Sequence, residues 1–319
     1  MVWHALAAYE NGGKRKSAIV LDGKVYDLAK AYKAVNPRKK NAPSWVAGGF
    51  DAAIDDWMSL RGEINKFAAD AAKAAATGKL GALRNPEQRL SNPFLPGRIF
   101  CAGANYGDHA KEMGAGLQKK NLANPYFFIK ANTAVTGPRD TVFIPPEVKK
   151  TDWEVELGVV IGKTCRRTTE ARAYDFIAGY TVANDVSSRD LNSRSDYPFP
   201  QDWFQGKSHD SFAPIGPWFV PKSCIRDPQD LDLNLQVNDD MMQESNTSNM
   251  IFNIREQIAY LSRIVTLLPG DIILTGTPHG VGAGRGIFLK PGDVMTTTIE
   301  KIGFMVNPIA AEKVARKGK

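Results

Sequence analysis

Apolar and polar positions fall into two regimes that meet near residue 92. Ser17 to Leu28 (SAIVLDGKVYDL) predicts two short strands around an Asp22-Gly23 turn, while His4, upstream, reads as tail. Ala52 to Lys79 is Ala-rich with few breakers and predicts helix. RNPEQRLSNPFLPGR, residues 84–98, carries prolines and polar residues and reads as a linker. From Arg98 onward, β-branched runs alternate with Gly and Pro: RIFCAGANY, TVFIPP, WEVELGVVIG, FIAGYTVANDV, LDLNLQVND and DIILTGTP all predict strands. Asn253 to Val265 has apolar residues at helical spacing, and Pro269-Gly270-Asp271 stops that helix and opens a strand. Strands and helices do not alternate regularly, so the expected class is α+β and β-rich. The expected division is a small N-terminal domain over 1–92 and a larger domain over 93–319.

Composition narrows the function classes. The 319 residues are 43% hydrophobic and 24% charged, which is ordinary for a globular protein. The net charge of +7 gathers partly in Arg38-Lys39-Lys40 and in the tail from Lys313 to Lys319, which read as solvated surface. Basic residues are not interleaved with aromatics and no reader motif is present, so no nucleic-acid partner is expected. A mildly basic surface would also attract a small dianionic acid. Cys101, Cys165 and Cys224 are few, widely spaced and odd in number, which argues against disulfides and thiolate zinc and fits a reducing, cytoplasmic setting. The N-terminus indicates no signal peptide, and no apolar run approaches the roughly 20 residues that span a membrane.

The chemistry concentrates in a few segments. In Asp152-Trp153-Glu154-Val155-Glu156-Leu157, a strand would project Glu154 and Glu156 to one side. Two adjacent buried carboxylates need a compensating cation, and Asp185, ending another apolar run, supplies a third acid. Three carboxylates suit Mg²⁺, Mn²⁺ or, as a substitute, Ca²⁺. The alternative is a solvent-facing strand edge, and Asp152 reads as a neighbour rather than a ligand. In Asn105-Tyr106-Gly107-Asp108-His109-Ala110-Lys111-Glu112, a helical turn would set Glu112 beside His109, as a general base requires, although Asp108 competes for that place and a surface helix pair has the same spacing. Lys130, Arg189 and Lys207 either bind a substrate anion or are ordinary surface cations. Gly276 and Thr277, in Thr275-Gly276-Thr277-Pro278, either meet an oxyanion or form a plain turn; His209 and His279 are weaker candidates.

The order of these pieces carries more than any one of them. GANYGDHAKEMG, PYFFIKANTAVTGP, DWEVELGVVIGK, AGYTVANDVSSRDL, GKSHDSFAPIGPWFV, LQVNDDMMQESNTSNMIF and LPGDIILTGTPHGVG together resemble the fumarylacetoacetate hydrolase family, including its acylpyruvase-like and 2-hydroxyhepta-2,4-diene-1,7-dioate isomerase-like members. The resemblance implies a mixed β-roll core around a metal, a small N-terminal α/β domain and a homodimer. By position, Glu154, Glu156 and Asp185 correspond to metal ligands and His109 with Glu112 to a lid-helix dyad. Lys207 corresponds to the lysine that holds and polarises substrate, and Lys130, Arg189, Asn192, Gly276 and Thr277 to its pocket. Asn192 stands where the NDxxxRDxQ pattern has Gln, and Asn238-Asp239 where many members have Asn-Gly. Residues 193–204 resemble an insertion whose aromatics either shape substrate choice or cover a dimer seam. The activity the resemblance implies is C–C bond hydrolysis of a small 2-oxo acid of acylpyruvate type, with aromatic-compound catabolism as its implied setting. Decarboxylation, isomerisation or hydration of a related acid is the second reading, and a non-catalytic metal- or ligand-binding member the third.

Overall fold

A computed structural model describes residues 2–112, 114, 120 and 123–313; part of the GANYGDHAKEMG motif (Met113) and the basic tail beyond Lys313 lie outside them. The predicted hairpin is present: Lys14–Leu21 pairs antiparallel with Lys24–Asp27, and Asp22 (φ 48°) and Gly23 (φ 68°) both take the left-handed conformation that a tight hairpin requires. His4 is not tail. It opens the strand His4–Asn11, pairs opposite Leu21 and is fully buried, with Nδ1 3.4 Å from Cys224 Sγ. The alanines of HALAAYEN hid that strand, because their strand preference is weak and only pairing on both sides fixes them. Burial pushes the His4 pKa down and keeps the ring neutral.

The Ala-rich stretch forms the helix Trp57–Ala76, preceded by Leu28–Val35 and by Ser44–Ala53, which is kinked at Gly49. Asp27 caps the first of these by accepting the Lys30 N–H at 2.8 Å. The predicted linker is tied down by a short strand, Leu90–Ser91, and by Phe94, which is buried. Downstream, Ile254–Ile264 is helical and starts with a capping box between Asn253 and Glu256.

One sheet runs in the order Lys24–Asp27, Lys14–Leu21, His4–Asn11, Ala213–Pro221, Ile177–Asn184, Val155–Ile161, Ile272–Leu274, Ile99–Gly103, Tyr126–Lys130. Its neighbours are antiparallel except Ile272–Leu274 beside Ile99–Gly103. A five-stranded sheet, Asp240–Asn246, Asp232–Val237, Val294–Ile299, Gly303–Ala311 and Val142–Ile144, packs on one face. With few helices beside these mixed sheets, the class is α+β and β-rich.

The alternation along the central strand decides what each face holds. Trp153, Val155, Leu157, Val159 and Ile161 point into the core shared with Leu233, Leu235, Met295 and Met305 of the second sheet. The opposite face is apolar at its far end, where Val160, Ala178 and Ile272 pack with the N-terminal helices. At its near end the same face carries Glu154 and Glu156. The N-terminal segment therefore shares both a sheet and a core with the rest of the chain. Its helices meet the sheet through Phe219, which stacks on Phe50 at 3.9 Å and sits edge-on to Trp57 at 5.0 Å. Phe219→Ala is expected to cost about 3–5 kcal/mol, read as a lowered urea midpoint by tryptophan fluorescence.

Candidate active site

The acids come together because two neighbouring strands end level. Val155 is registered opposite Asn184, and the Asp185 N–H donates to the Glu154 carbonyl at 2.9 Å. The Asn184 side chain accepts the Glu154 N–H at 2.9 Å, which locks the stagger. Glu154, Glu156 and Asp185 are buried, and each offers an oxygen within 4.8 Å of the others. The solvent-edge alternative is thereby removed. Asp152 is the neighbour it reads as: it accepts Arg189 Nε at 2.7 Å and the N–H groups of Gly282 and Ala283 at 2.6 and 3.0 Å.

The cations named from the sequence are not surface residues. Lys207 Nζ donates to Glu154 Oε2 and Asp185 Oδ2, each at 2.7 Å. Lys130 donates to Asp185 Oδ1 at 2.5 Å and to the Val186 carbonyl at 2.9 Å. Arg189 reaches Glu154 Oε1 at 2.5 Å as well as Asp152. Among the described residues no salt bridge reaches Glu156; its Oε2 accepts only the Gly276 N–H, at 2.6 Å. The electrostatics follow. Burial and the charges of Asp185 and Glu154 push the Glu156 carboxyl well above the usual range. Burial acts on Glu154 in the same sense, but Lys207, Arg189 and His109 outweigh it and hold that carboxyl low. Burial opposes the charge of Lys207, yet Asp185 and Glu154 hold its ammonium above the ordinary lysine value.

A cavity of about 600 Å³ reaches this cluster at Glu154 and is lined as well by His109, Arg189, Lys207 and Thr277 and by Phe128, Asn192 and Trp203. His109 sits on the helix Gly107–Glu112, nearly buried, with Nδ1 3.5 Å from Glu112 Oε2. Glu112 also accepts the Gly280 N–H at 3.0 Å. Burial would raise its pKa, but the hydrogen bonds from His109 and Gly280 prevail and keep it low. Asp108 does not compete for the ring; it takes the His109 N–H at 2.8 Å and His279 Nδ1 at 2.7 Å.

Two named residues lie elsewhere than a pocket wall. Lys130 stands behind Asp185, nearly inaccessible, and neutralises that acid rather than facing the cavity. The Gly276 amide is spent on Glu156 instead of an oxyanion; the glycine is required because its φ is 99° and a Cβ would come within 2.6 Å of Asn105 Cβ. The Asn192 side chain packs against Gly206 at the cavity wall. His209 lines a separate cavity of about 970 Å³ that holds no member of the acid triad.

Sequence reasoning missed Gln243. Its side chain accepts the Val155 N–H at 3.0 Å and donates to Thr277 Oγ1 and the Pro278 carbonyl, both at 2.9 Å, so it ties the acidic strand to the cavity loop. One glutamine in a polar strand carries no local signal. Trp203 is positioned by Phe128 and Tyr126, ring centroids 4.9 and 5.3 Å away, and Gly103 makes room for it.

The donor set fits a divalent cation. Four buried carboxylates face three cationic side chains, one acid in excess, and that acid is Glu156. All-oxygen ligands suit a hard ion. Comparisons with known proteins agree. The family model described as fumarylacetoacetate (FAA) hydrolase C-terminal matches residues 98–310. The chain is 43% identical over 257 residues to 2,4-didehydro-3-deoxy-L-rhamnonate hydrolase of Sphingomonas sp. (strain SKA58), covering 79% of this chain and 87% of that protein. It is 38% identical over 275 residues to the mitochondrial oxaloacetate tautomerase Fahd2a of Rattus norvegicus, covering 83% and 85%. The crystal structure of maleylpyruvate hydrolase from Sphingobium sp. SYK-6, in complex with manganese(II) and pyruvate, superposes with a TM-score of 0.70 at 28% identity over 97% of this chain and 100% of that one. With the model spanning most of the chain and relatives aligned over more than three quarters of it, the protein belongs to the fumarylacetoacetate hydrolase family.

Proposed function

We propose that this protein is a divalent-metal-dependent hydrolase that cleaves a C–C bond in a small 2-oxo acid of acylpyruvate type. The observation that carries the reading is Glu156: a buried carboxyl with two acidic neighbours and, among the described residues, no salt bridge, grouped with Glu154, which lines a cavity together with His109. The maleylpyruvate hydrolase solved with Mn²⁺ and pyruvate and the rhamnonate hydrolase support hydrolysis of a keto acid; the oxaloacetate tautomerase keeps proton transfer without cleavage as the second reading.

Glu154, Glu156 and Asp185 would hold Mg²⁺ or Mn²⁺. When bound, such an ion supplies Lewis-acid polarisation of the substrate's oxygens. The chain's own groups do the rest. Lys130, Lys207 and Arg189, together with such an ion, would outweigh the four acids of the cluster, the sign of charge that an anionic acid requires. Lys207 keeps its proton and donates along the cavity wall toward a substrate oxygen. Glu112, held ionised, calls for the His109 proton on Nδ1 and leaves Nε2 to take a proton from water or from a substrate carbon. Water attack at the distal carbonyl breaks the C–C bond toward the 2-oxo end. Protonation of the released carbon by the same imidazole closes the cycle. In the tautomerase reading His109 only moves a proton between carbon and oxygen. Arg189 serves by fixing Glu154 and Asp152.

Three outcomes are expected. Glu156→Gln raises the melting temperature without metal, because it removes a carboxyl whose ionised form burial and two acidic neighbours disfavour, and abolishes both the Mn²⁺-induced rise and turnover; an unchanged Mn²⁺ response by thermal shift would remove the triad from the account. A carboxyl whose folded pKa is raised costs stability as pH climbs above the ordinary carboxylate value, and metal binding needs it ionised. The Mn²⁺-induced rise therefore grows with pH and shrinks on acidification, checked by thermal shift in buffers spanning that range. His109→Ala keeps the Mn²⁺ rise while kcat falls about 10²–10⁴-fold. Enol absorbance with product masses, over acylpyruvates and oxaloacetate, reads that fall and separates cleavage from tautomerisation.

A further inference from the structure

The helix that carries His109 has six residues, too few to hold its own shape. It must be fixed by what it touches. On its upstream side Asn105 is pinned: its side chain donates to the carbonyls of Phe252 and Thr275 at 3.0 and 2.7 Å and accepts the Phe252 N–H at 2.9 Å. Beyond that point, two acidic side chains of the helix tie it to one loop. Glu112 takes the Gly280 N–H, and Asp108 takes His279 Nδ1. Asp108 uses its other oxygen on the N–H of His109 itself, so one carboxylate couples the His279 ring to the backbone that sets the His109 position.

We propose that His279 is a positioning residue: through Asp108 it holds the Gly107–Glu112 helix so that His109 sits over the acid triad. The proposal rests on the assignment of His109 as the proton-moving group. His279 itself does not line the cavity and is half exposed, so it touches no substrate. The carboxylate acceptor requires the His279 proton on Nδ1 whether or not the ring is charged. An exposed pair adds little to global stability. Its effect falls instead on how much of the time the short helix is engaged, a population shift that scales kcat directly. Of the side chains on the loop from Gly276 to Ala283, His279 alone is hydrogen-bonded to this helix among the described residues, whereas the Glu112 tie is to backbone and no substitution on the loop side removes it.

The test compares His279→Ala with His279→Asn, since an Asn side-chain amide occupies nearly the place of Nδ1–H. Steady-state kinetics are run on the Mn²⁺-loaded enzyme, and amide hydrogen exchange is followed over residues 107–112. His279→Ala is expected to lower kcat about three- to tenfold, to change KM less than twofold and to leave the Mn²⁺ thermal shift intact. Exchange in the helix speeds by a similar factor. Asn restores both, and adding Asp108→Ala to His279→Ala costs less than the two single effects combined. Exchange in the helix that is unchanged by His279→Ala, or an Asn variant as impaired as the Ala variant, overturns the proposal. If the enzyme turns over no 2-oxo acid at all, the functional reading fails, and the exchange measurement alone still decides the pair.

Discussion

Three carboxylates buried within 4.8 Å of one another are the constraint around which this chain is arranged. Removing ionised groups from water costs several kcal/mol each even after relaxation, so the surrounding sequence is committed to offsetting that cost. Lys130 stands behind Asp185, Lys207 bridges Asp185 and Glu154, and Arg189 joins Glu154 to Asp152. Each of these acids has a cation. Among the described residues Glu156 has only a backbone N–H, and its raised pKa reflects that imbalance. The imbalance is the feature on which the proposed metal site rests, and the cations around it define how large it is.

The second organising element is the loop from Gly276 to Ala283. Its backbone N–H groups meet Glu156, Glu112 and Asp152, and its Thr277 hydroxyl meets Gln243. One segment thus positions an acid of the triad, the partner of His109 and the anchor of Arg189. Backbone donors suit that task, because they are fixed by the fold and lose no rotamer freedom when they bind. The glycines at 276, 280 and 282 let the main chain come close enough to do it.

The resemblance in the sequence and the three-dimensional site agree on which side chains are gathered, but not on how each is used. His109, Lys207, Arg189, Asn192 and Thr277 stand on the cavity wall, as their order along the chain implies. Lys130 and Gly276 are behind it. A motif reports that a residue is kept near a site. It does not report whether the side chain faces a ligand or faces another protein group, because both uses constrain the position equally. His4 shows the converse: nothing around it marks a site, and only strand pairing reveals that it is buried.

By itself the sequence determined the strands with β-branched runs, such as Ile99–Gly103, Val155–Ile161 and Ile177–Asn184, the Asp22-Gly23 turn, the amphipathic helix after Asn253 and the same-side projection of Glu154 and Glu156, because these depend on residues within one turn or one strand of each other. It also determined the family, because several gapped motifs in one order are specific without any geometry. Tertiary structure alone decided that Asp185 is level with Glu154, that Asp108 pairs with the ring of His279 and not with that of His109, that Gln243 joins the site, and that Glu156 is the acid left without a cation among the described residues. Those facts rest on strand stagger and loop placement across separations of 30 to 171 residues, and pairings at that range are set by how sheets register and pack, which no local pattern encodes.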